Sequence, residues 1–373
     1  MRIAFDATAI PANRAGAGVY IFSLVKALSQ VDADNEYRVF AKAEHAEEFG
    51  PLGPNFRLVR VPPLSTPQRL VWEQTVLPRA LKTLGADVLH SPHYTMPLLA
   101  PCPVVVTFHD MTYLLMPELH ARFHRRFFPP MMRASARQAA RLLAVSESTR
   151  RDMLRLLPAS AGKTVTTLEA AGPVFRVAPA PSVADACARF GLTRGRFLLY
   201  VGVLEPRKNV PLLLQAYARI AGRFPGVPLV IAGKKGWMYD AIFAQVSALG
   251  LADRVVFTGY VAEEDLPRLY GGARAFVYPS RYEGFGLPVL EAMQCGAAVI
   301  TSDVSSMPEV AGGAALLIDP DDVGGLADAL ARVLSNDALA ADLSRRGIAR
   351  AASFSWERCA RETRAVYESL GGA

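Results

Sequence analysis

The sequence predicts an α/β protein built from two doubly wound parallel sheets. The chain has 373 residues, too many for one ordinary hydrophobic core and suitable for two domains of common size. Apolar residues make up 51% and charged residues 20%, which supplies enough side chains to bury two sheets. Short β-rich runs alternate with segments of helical period, as in parallel sheets that helices cover on both faces.

The first half of the chain contains seven predicted strands. They span residues 2–6, 37–41, 56–61, 88–91, 104–108, 142–146 and 165–168. Runs of this length, rich in Val, Ile, Leu and Phe, are typical of strands buried on both faces. We therefore expect residues 1–175 to form an N-terminal domain.

The second half of the chain repeats the same alternation of predicted strands and helices. Its predicted strands span residues 197–201, 229–232, 255–258, 275–278, 298–301 and 315–318, and predicted helices span 211–221, 239–249, 263–270 and 287–295. We expect residues 196–355 to form a C-terminal domain of the same class.

Two further segments connect or complete these domains. Residues 171–182 are rich in Pro, Ala and Gly without a strong period, so we expect a linker over 176–195. Residues 355–370 predict one amphipathic helix that the second sheet does not need. We expect the tail, residues 356–373, to join the first domain.

Charge and targeting signals exclude several classes of protein. The net charge is +7, and residues 1–170 hold 20 Lys and Arg against 14 Asp and Glu. This excess suits an anionic membrane surface, a phosphorylated acceptor or simply a solvated face. Clustered base-reading aromatics and a strong basic stripe are missing, so we expect no nucleic acid partner. Neither a signal segment nor a long apolar run precedes or follows the strands, which predicts a cytoplasmic protein.

Ligands of open α/β sheets bind beyond the carboxyl ends of the strands, so we expect the reactive and binding residues in those loops. Gly16, Ala17 and Gly18 follow the first strand and open a helix, where backbone N–H groups can hold phosphate. An alternative is that these glycines serve packing alone.

A second loop carries two adjacent cations. The strand that ends at Gly202 is followed by Arg207 and Lys208 and then by a helix. Arg offers a planar fork and Lys a compact charge, so together they could neutralise a departing nucleoside diphosphate. The alternative is an ordinary pair of solvated loop charges.

The most informative segment spans residues 278–293. After the strand, a glycine-rich loop places the N–H groups of residues 284–287 at the start of a helix, suited to sugar hydroxyls and phosphate. Glu283 lies on the loop and Glu291 inside the helix. A carboxylate can accept from two hydroxyls, so one could hold a sugar and the other a ribose diol.

These segments resemble the retaining glycosyltransferases of family 4, also described as glycosyl transferases group 1, which have the GT-B fold of two Rossmann-like domains facing a central cleft. Glu283 and Glu291, with seven residues between them, match the family's signature. Residues 302–310 and 317–320 match its downstream pattern. The resemblance covers essentially the whole chain.

The resemblance implies a role for each matching residue. The N-terminal domain would be the acceptor side and the C-terminal domain the donor side. His109, Glu283 and Lys208 would be catalytic. His109 lies at a strand end where relatives place a histidine near donor and acceptor, although a purely structural histidine is the alternative. In many members of the family, Arg directly follows the glycine equivalent to Gly202, whereas this chain has Val203 there. The donor would contact Gly16, Ala17, Gly18, Gly202, Arg207, Lys208, Gly259, Tyr260, Glu283, Gly284, Phe285, Gly286, Leu287 and Glu291.

The implied reaction is the transfer of a hexose, with retention, to a glycan or lipid-linked acceptor in surface polysaccharide biosynthesis. The neighbourhood of residues 109–113 resembles mannosyltransferases, which favours GDP-mannose over UDP-hexose as donor. Because no isolated Asp-x-Asp pair on a loop suggests chelation of a diphosphate through a divalent metal ion, we expect no metal cofactor. The alternative activity is a sugar-nucleotide epimerase or a sugar-nucleotide-binding protein that does not transfer.

Residues 122–141 interleave Arg with large apolar side chains. That composition suits peripheral contact with the inner face of an anionic membrane. The alternative is an ordinary amphipathic helix that covers the first sheet.

Overall fold

A computed structural model describes residues 1–10, 16–234, 236 and 240–371. The chain forms two compact units: unit 1 comprises Met1–Glu169 and Ser355–Ala373, and unit 2 comprises Ala170–Phe354. Both units have parallel sheets flanked by helices, which confirms the predicted α/β class.

Unit 1 contains, in its described residues, a seven-stranded parallel sheet of order β3-β2-β1-β4-β5-β6-β7. The order reverses between β1 and β4, so the loops after these neighbours diverge at the carboxyl edge, where such sheets bind ligands. The strands are β1 (Arg2–Asp6), β2 (Glu36–Lys42), β3 (Phe56–Val61), β4 (Val88–Ser91), β5 (Val104–Phe108), β6 (Arg141–Ala144) and β7 (Thr164–Thr166). The run Val-Val-Val-Thr-Phe of β5 is buried throughout, as a central parallel strand requires.

The helices of unit 1 cover this sheet with their apolar faces. They are α1 (Ala17–Val31), α2 (Ala43–Ala46), α3 (Thr66–Thr75), α4 (Leu77–Leu84), α5 (Thr112–Leu115), α6 (Arg122–Gln138) and α7 (Glu147–Leu156). In the described residues, no helix of either unit is both long enough and apolar enough to cross a membrane.

Unit 2 contains, in its described residues, a six-stranded parallel sheet of order β10-β9-β8-β11-β12-β13. The strands are β8 (Leu198–Val201), β9 (Leu229–Ala232), β10 (Val255–Gly259), β11 (Ala275–Tyr278), β12 (Val299–Ser302) and β13 (Leu316–Ile318). The helices are α8 (Ala180–Arg189), α9 (Val210–Ala221), α10 (Asp240–Ala248), α11 (Leu266–Gly272), α12 (Leu287–Gln294), α13 (Met307–Ala311), α14 (Val323–Ser335) and α15 (Asp337–Ala351).

The predicted linker over residues 176–195 is wrong in one respect. It contains α8, whose Val183, Ala186 and Cys187 are buried in unit 2, and unit 2 begins at Ala170. Pro179 is the N-cap residue of this helix and Pro181 lies in its first turn, where the missing N–H costs nothing. The predicted start of a helix at Tyr239 lies outside the described residues, and α10 is described from Asp240.

The last helix, α16 (Trp356–Glu368), packs against α1 in unit 1. Its Tyr367 hydroxyl lies 2.5 Å from Nδ1 of His90, a buried residue of β4. Trp356 contacts the ring of Tyr20 on α1, with 6.0 Å between the ring centroids. This helix therefore completes the core of a unit whose other elements lie far upstream in the chain.

Candidate functional site

The loops after β8 and β9 touch each other backbone to backbone. The Gly202 N–H donates to the Ala232 carbonyl at 2.9 Å, and a Cβ at Gly233 would lie only 1.9 Å from the Gly202 oxygen. Glycine is required at 233 because no side chain fits this approach. The contact fixes the path of the loop that carries the two predicted phosphate cations.

Glu283 is the centre of a buried polar cluster at the carboxyl ends of β8 and β11. Its side chain is only 9% exposed. Oε1 accepts from Lys208 Nζ at 2.6 Å, and Oε2 accepts from Arg207 Nη1 at 2.8 Å. The hydroxyls of Ser280 and Tyr278 donate to Oε1 at 2.7 and 3.0 Å. The structure therefore brings together three residues that the sequence assigned to the sugar and the diphosphate.

Arg207 is held between two carboxylates. Its Nη2 donates to Glu205 Oε1 at 2.7 Å, while its Nη1 donates to both Glu283 and the Tyr282 carbonyl. Glu205 is itself only 8% exposed. Each cation of the cluster is thus paired with a buried carboxylate, and the four charges of Glu205, Arg207, Lys208 and Glu283 sum to zero.

The pKa values of Glu283 and Lys208 are both lowered in this cluster, for different reasons. Burial alone raises the pKa of Glu283, but Arg207 and Lys208 outweigh it and bring that pKa to about 2. Burial lowers the pKa of Lys208, Arg207 lowers it further, and Glu283 partly opposes both. Glu283 is accordingly an obligate anion at neutral pH, suited to accepting hydrogen bonds and unsuited to donating a proton.

The predicted glycine-rich loop leads into α12 as the sequence suggested. Gly286 has φ of 104° and caps the helix, and a Cβ there would lie 2.3 Å from Met307 Cε. Phe285 packs inward against Phe354. In the first turn of α12, Pro288 has no N–H and the Val289 N–H donates to the Gly286 carbonyl at 3.0 Å, so the Leu287 N–H is the one without a partner inside the helix.

Two hydroxyls beyond β12 fix the backbone of this loop. The Glu283 N–H donates to Ser305 Oγ at 3.0 Å, and Ser306 Oγ donates to the Glu283 carbonyl at 2.9 Å. The residues that resembled the family's downstream pattern therefore position the Glu283 backbone.

Glu291 occupies a different environment on the same helix. It accepts from the Tyr270 hydroxyl at 3.1 Å. Burial raises the pKa of its carboxyl, the Tyr270 bond partly offsets this, and the total is about 7. Its charge state therefore changes near neutral pH, unlike that of Glu283.

The predicted base-side residues lie at the carboxyl end of β10. The Gly259 carbonyl accepts from the Gly233 N–H at 2.8 Å, so this loop adjoins the one that contacts Gly202. The Tyr260 ring is 66% exposed, and Lys234 Nζ lies 4.4 Å from its centroid. An exposed aromatic ring beside a cation is suited to stacking on a planar base.

In unit 1, Gly16 caps α1 with φ of 50°, and its carbonyl accepts from the Tyr20 N–H at 3.1 Å. Ala17 and Gly18 form the first turn, so N–H groups are presented there as predicted. The residues just before Gly16 lie outside the described part of the chain.

His109 lies just beyond β5, and both its ring nitrogens are engaged inside unit 1. Nε2 lies 2.8 Å from the Pro92 carbonyl and therefore carries a proton. Nδ1 faces Glu169 Oε1 at 3.4 Å, and the Tyr20 ring packs edge-on with its centroid 4.9 Å away. These neighbours fix the orientation of the imidazole, and the catalytic role that the resemblance implies for His109 stays a prediction.

Sequence reasoning missed three members of the Glu283 cluster: Glu205, Tyr278 and Ser280. The signal for Glu205 was its position two residues before Arg207 in one loop. Tyr278 and Ser280 lie in the segment singled out for its glycines, but without the fold nothing showed that their hydroxyls point at Glu283.

Across the described ranges, no group of three or more His, Cys, Asp or Glu side chains is arranged to hold a metal ion.

The fold of the whole chain has close structural counterparts. A sucrose-phosphate synthase from Thermosynechococcus elongatus superimposes with a TM-score of 0.79 at 23% identity, covering 99% of this chain and 98% of that one. Two doubly wound α/β units of this kind have the GT-B fold.

Sequence comparison narrows the class. Residues 14–167 match the description Glycosyltransferase Family 4, and residues 190–350 match Glycosyl transferases group 1. The O-antigen chain mannosyltransferase B of Escherichia coli is 32% identical over 99% of this chain and 100% of its own length. The serotype-specific mannosyltransferase WbdA of Escherichia coli is 31% identical over 72% of this chain, which spans about a third of that protein's length. The chain belongs to glycosyltransferase family 4, as its motifs predicted, and is a hexosyltransferase that takes a nucleotide sugar as donor.

Proposed function

We propose that this enzyme transfers mannose from GDP-mannose, with retention of anomeric configuration, to a glycan or lipid-linked acceptor in surface polysaccharide biosynthesis. The observation that carries the proposal is the bonding of Arg207 and Lys208 to Glu283 at the carboxyl ends of β8 and β11. It unites the charges needed for a diphosphate leaving group with an anion able to hold a sugar.

The cluster supplies the electrostatics of the reaction. The diphosphate gains negative charge as the sugar–oxygen bond breaks, and the two cations stabilise that charge in a largely buried setting. Because carboxylates already neutralise both cations, the donor phosphates must exchange with Glu205 or Glu283 when they bind. Glu283 then becomes available to accept hydrogen bonds from donor hydroxyls.

Retention is proposed from the resemblance to retaining enzymes of the family, and the chemistry of Glu283 is compatible with it. Its pKa of about 2 makes it a poor proton donor, and two cations already hold its oxygens. It does not resemble the acid of a paired-carboxylate hydrolase, whose pKa is raised. We propose that the departing phosphate takes the acceptor's proton on the face where the new bond forms.

The proposals for the sugar and the base of the donor rest on the similarity to relatives. Full-length similarity to a mannosyltransferase that builds an O-antigen chain supports both the mannosyl group and the polysaccharide acceptor. We propose no metal cofactor, with the cations and the start of α12 in that role.

Two measurements test this proposal. Thermal unfolding with GDP, UDP, ADP and their sugars in EDTA should show selective stabilisation by GDP and GDP-mannose, because a ligand of the native state raises Tm. NMR of the product from GDP-mannose and an octyl α-mannoside should show an α linkage. If UDP alone stabilises the enzyme, the donor is a UDP-sugar and not GDP-mannose. A β linkage in the product would contradict retention. Binding without transfer to any acceptor favours the epimerase or non-transferring alternative.

We also propose that α6 contacts an anionic membrane surface, which would suit a lipid-linked acceptor. Its inner face buries Phe128 and Met132, whereas Phe123 is 46% exposed. Five arginines and no acidic residue lie on this helix. Cations around an exposed aromatic ring suit the interface of anionic lipids.

Sedimentation with phosphatidylglycerol-containing vesicles tests the membrane contact. The wild type should co-sediment with these vesicles and not with phosphatidylcholine alone. Phe123→Ser combined with Arg126→Glu should release it, whereas Arg79→Glu, an exposed change on α4, should not. Equal release by both variants would show only a general effect of charge.

A further inference from the structure

A second cluster of buried charges lies at the carboxyl edge of the unit 1 sheet. Asp6 is the last residue of β1, and Thr95 lies beyond the end of the neighbouring strand β4. Arg69 and Glu73 lie one turn apart on α3. Asp6, Glu73 and Thr95 are each 1% exposed and Arg69 is 6% exposed.

The hydrogen bonds of this cluster converge on Glu73. Arg69 Nη1 donates to Glu73 Oε2 at 2.9 Å, Thr95 Oγ1 donates to the same atom at 2.7 Å, and Gln74 Nε2 donates to Oε1 at 2.9 Å. Burial raises the pKa of Glu73, and Arg69 opposes that rise. The carboxylate is thus fixed in position.

Arg69 and Asp6 have bonding capacity that the described residues of unit 1 do not use. Within the described residues, the Arg69 guanidinium donates one hydrogen bond, from Nη1, which leaves Nε and Nη2 unbonded. Asp6 Oδ1 accepts from Thr8, but the cation nearest to Oδ2 is Arg69 at 3.8 Å, beyond a hydrogen bond. None of these three atoms is among the fully buried side-chain atoms that lack a partner in the described residues, so they are open to a ligand. Sugar hydroxyls bonded there would compensate for the loss of water around two largely buried charges.

The cluster adjoins His109. The Thr95 N–H donates to the His93 carbonyl at 2.6 Å, and the His93 and His109 rings lie 5.8 Å apart. The unused groups of Asp6 and Arg69 are therefore connected through one loop to the histidine that the sequence placed near the reacting atoms.

The charges of the cluster select the kind of ligand. Asp6 and Glu73 are balanced by Arg69 and by Lys42, at the end of β2, whose Nζ donates to the Ile10 carbonyl at 3.4 Å. A phosphate would meet two carboxylates, whereas sugar hydroxyls can both donate to a carboxylate and accept from a guanidinium.

We propose that Asp6, Arg69 and Glu73 form an acceptor subsite in unit 1 that binds the hydroxyls of a neutral terminal saccharide. This inference rests on the proposed function for the reaction it serves. It assigns to α3 and β1 the choice between a neutral and a phosphorylated acceptor.

The test compares two acceptors with the full-length enzyme and GDP-mannose: octyl α-mannobioside and its terminal 6-phosphate. The wild type should use the neutral acceptor. Asp6→Asn and Glu73→Gln should raise the KM for that acceptor about 10- to 100-fold, as the loss of a charged hydrogen bond does, and leave the donor KM unchanged. Both should shift preference toward the phosphorylated acceptor, because each removes a repelling charge.

The matched control is Asp32→Asn. Asp32 is a carboxylate of unit 1 that is 1% exposed, but it lies before β2 at the opposite edge of the sheet and accepts from the Tyr37 hydroxyl. The variant Asp32→Asn should lower Tm without changing the acceptor KM or the preference between the two acceptors. If Asp6→Asn and Glu73→Gln behave like this control, or if the wild type prefers the phosphorylated acceptor, the subsite is wrong.

Calorimetric binding of free α-mannobiose separates this inference from the proposed function. If the wild type transfers nothing from GDP-mannose, the proposed function fails, but binding that Glu73→Gln weakens and Asp32→Asn preserves would still establish the subsite. Absence of mannobiose binding by an enzyme that does transfer would reject the subsite alone.

Discussion

Nζ of Lys208 lies 2.6 Å from Oε1 of Glu283. The cation assigned to the diphosphate and the carboxylate assigned to the sugar are therefore bonded directly to each other. A change at either residue alters the charge that its partner presents to the donor, so binding and transfer must be measured separately in each variant.

Glu283→Gln should reduce transfer by at least about 100-fold, the effect of losing one preorganised electrostatic group in an active site. Affinity for free GDP should not fall, because the change releases Lys208 and Arg207 from a competing carboxylate. Steady-state kinetics and calorimetry measure the two effects. Glu264→Gln, at an exposed position of unit 2, is the control. Loss of GDP binding in step with transfer would place Glu283 against the nucleotide.

Lys208→Ala should weaken GDP binding much more than guanosine binding, since only the diphosphate carries the charge that Lys208 Nζ would meet. The loss should be about 10- to 100-fold for GDP, as for a hydrogen bond to a charged group. Titrations with both ligands give the ratio. An unchanged ratio would move the phosphate site away from Lys208.

Acid should weaken unit 2 through Glu283. The folded pKa of about 2 lies below the ordinary value of 4.5, so its contribution is complete above pH 4.5 and is lost as pH falls toward 2. At neutral pH the contribution of Glu283 to the free energy of unfolding is about 3 kcal/mol. Urea unfolding of the wild type and Glu283→Gln should therefore converge between pH 4.5 and 2. Parallel pH curves would contradict the depressed pKa.

GDP affinity should depend on pH through Glu291. Its folded pKa of about 7 means that the carboxylate needed to accept from a ribose diol is formed as pH rises through 7. The wild type should gain GDP affinity between pH 6 and 8, and Glu291→Gln should lose this gain. If deoxyribose GDP shows the same pH response as GDP, the ribose assignment is wrong.

Gly233→Ala should destabilise unit 2 by about 1–3 kcal/mol, the usual cost of forcing extra atoms into a packed interior. The new Cβ would meet the Gly202 carbonyl, so GDP affinity should fall as well. Gly222→Ala, where a Cβ meets no atom within 4 Å, is the control and should leave both quantities unchanged. Chemical unfolding gives the stabilities.

The sequence predicted the strands well because buried parallel strands are short apolar runs with little resemblance to the helices between them. The helix α8 was missed for a physical reason. Pro179 and Pro181 flank its start, and the composition of the segment around them resembles that of a linker. Proline is tolerated in a first turn, but only the packed helix shows that it was used there.

The candidate site was predicted less completely. Glu283 and Lys208 are 75 residues apart, and their bond depends on two strands lying side by side. Motif spacing identified both residues but not that they pair, nor that Glu205 holds Arg207. His109 was located correctly at a strand end, while its bonds to Pro92 and Glu169 required the fold.

The return of α16 to unit 1 has a consequence for synthesis on the ribosome. Unit 2 is one continuous stretch, whereas unit 1 needs Trp356 and Tyr367 from beyond that stretch. Part of the α1 surface therefore stays uncovered until all of unit 2 has been synthesised. A chain truncated after Phe354 should consequently carry a protease-resistant second half and a vulnerable first half.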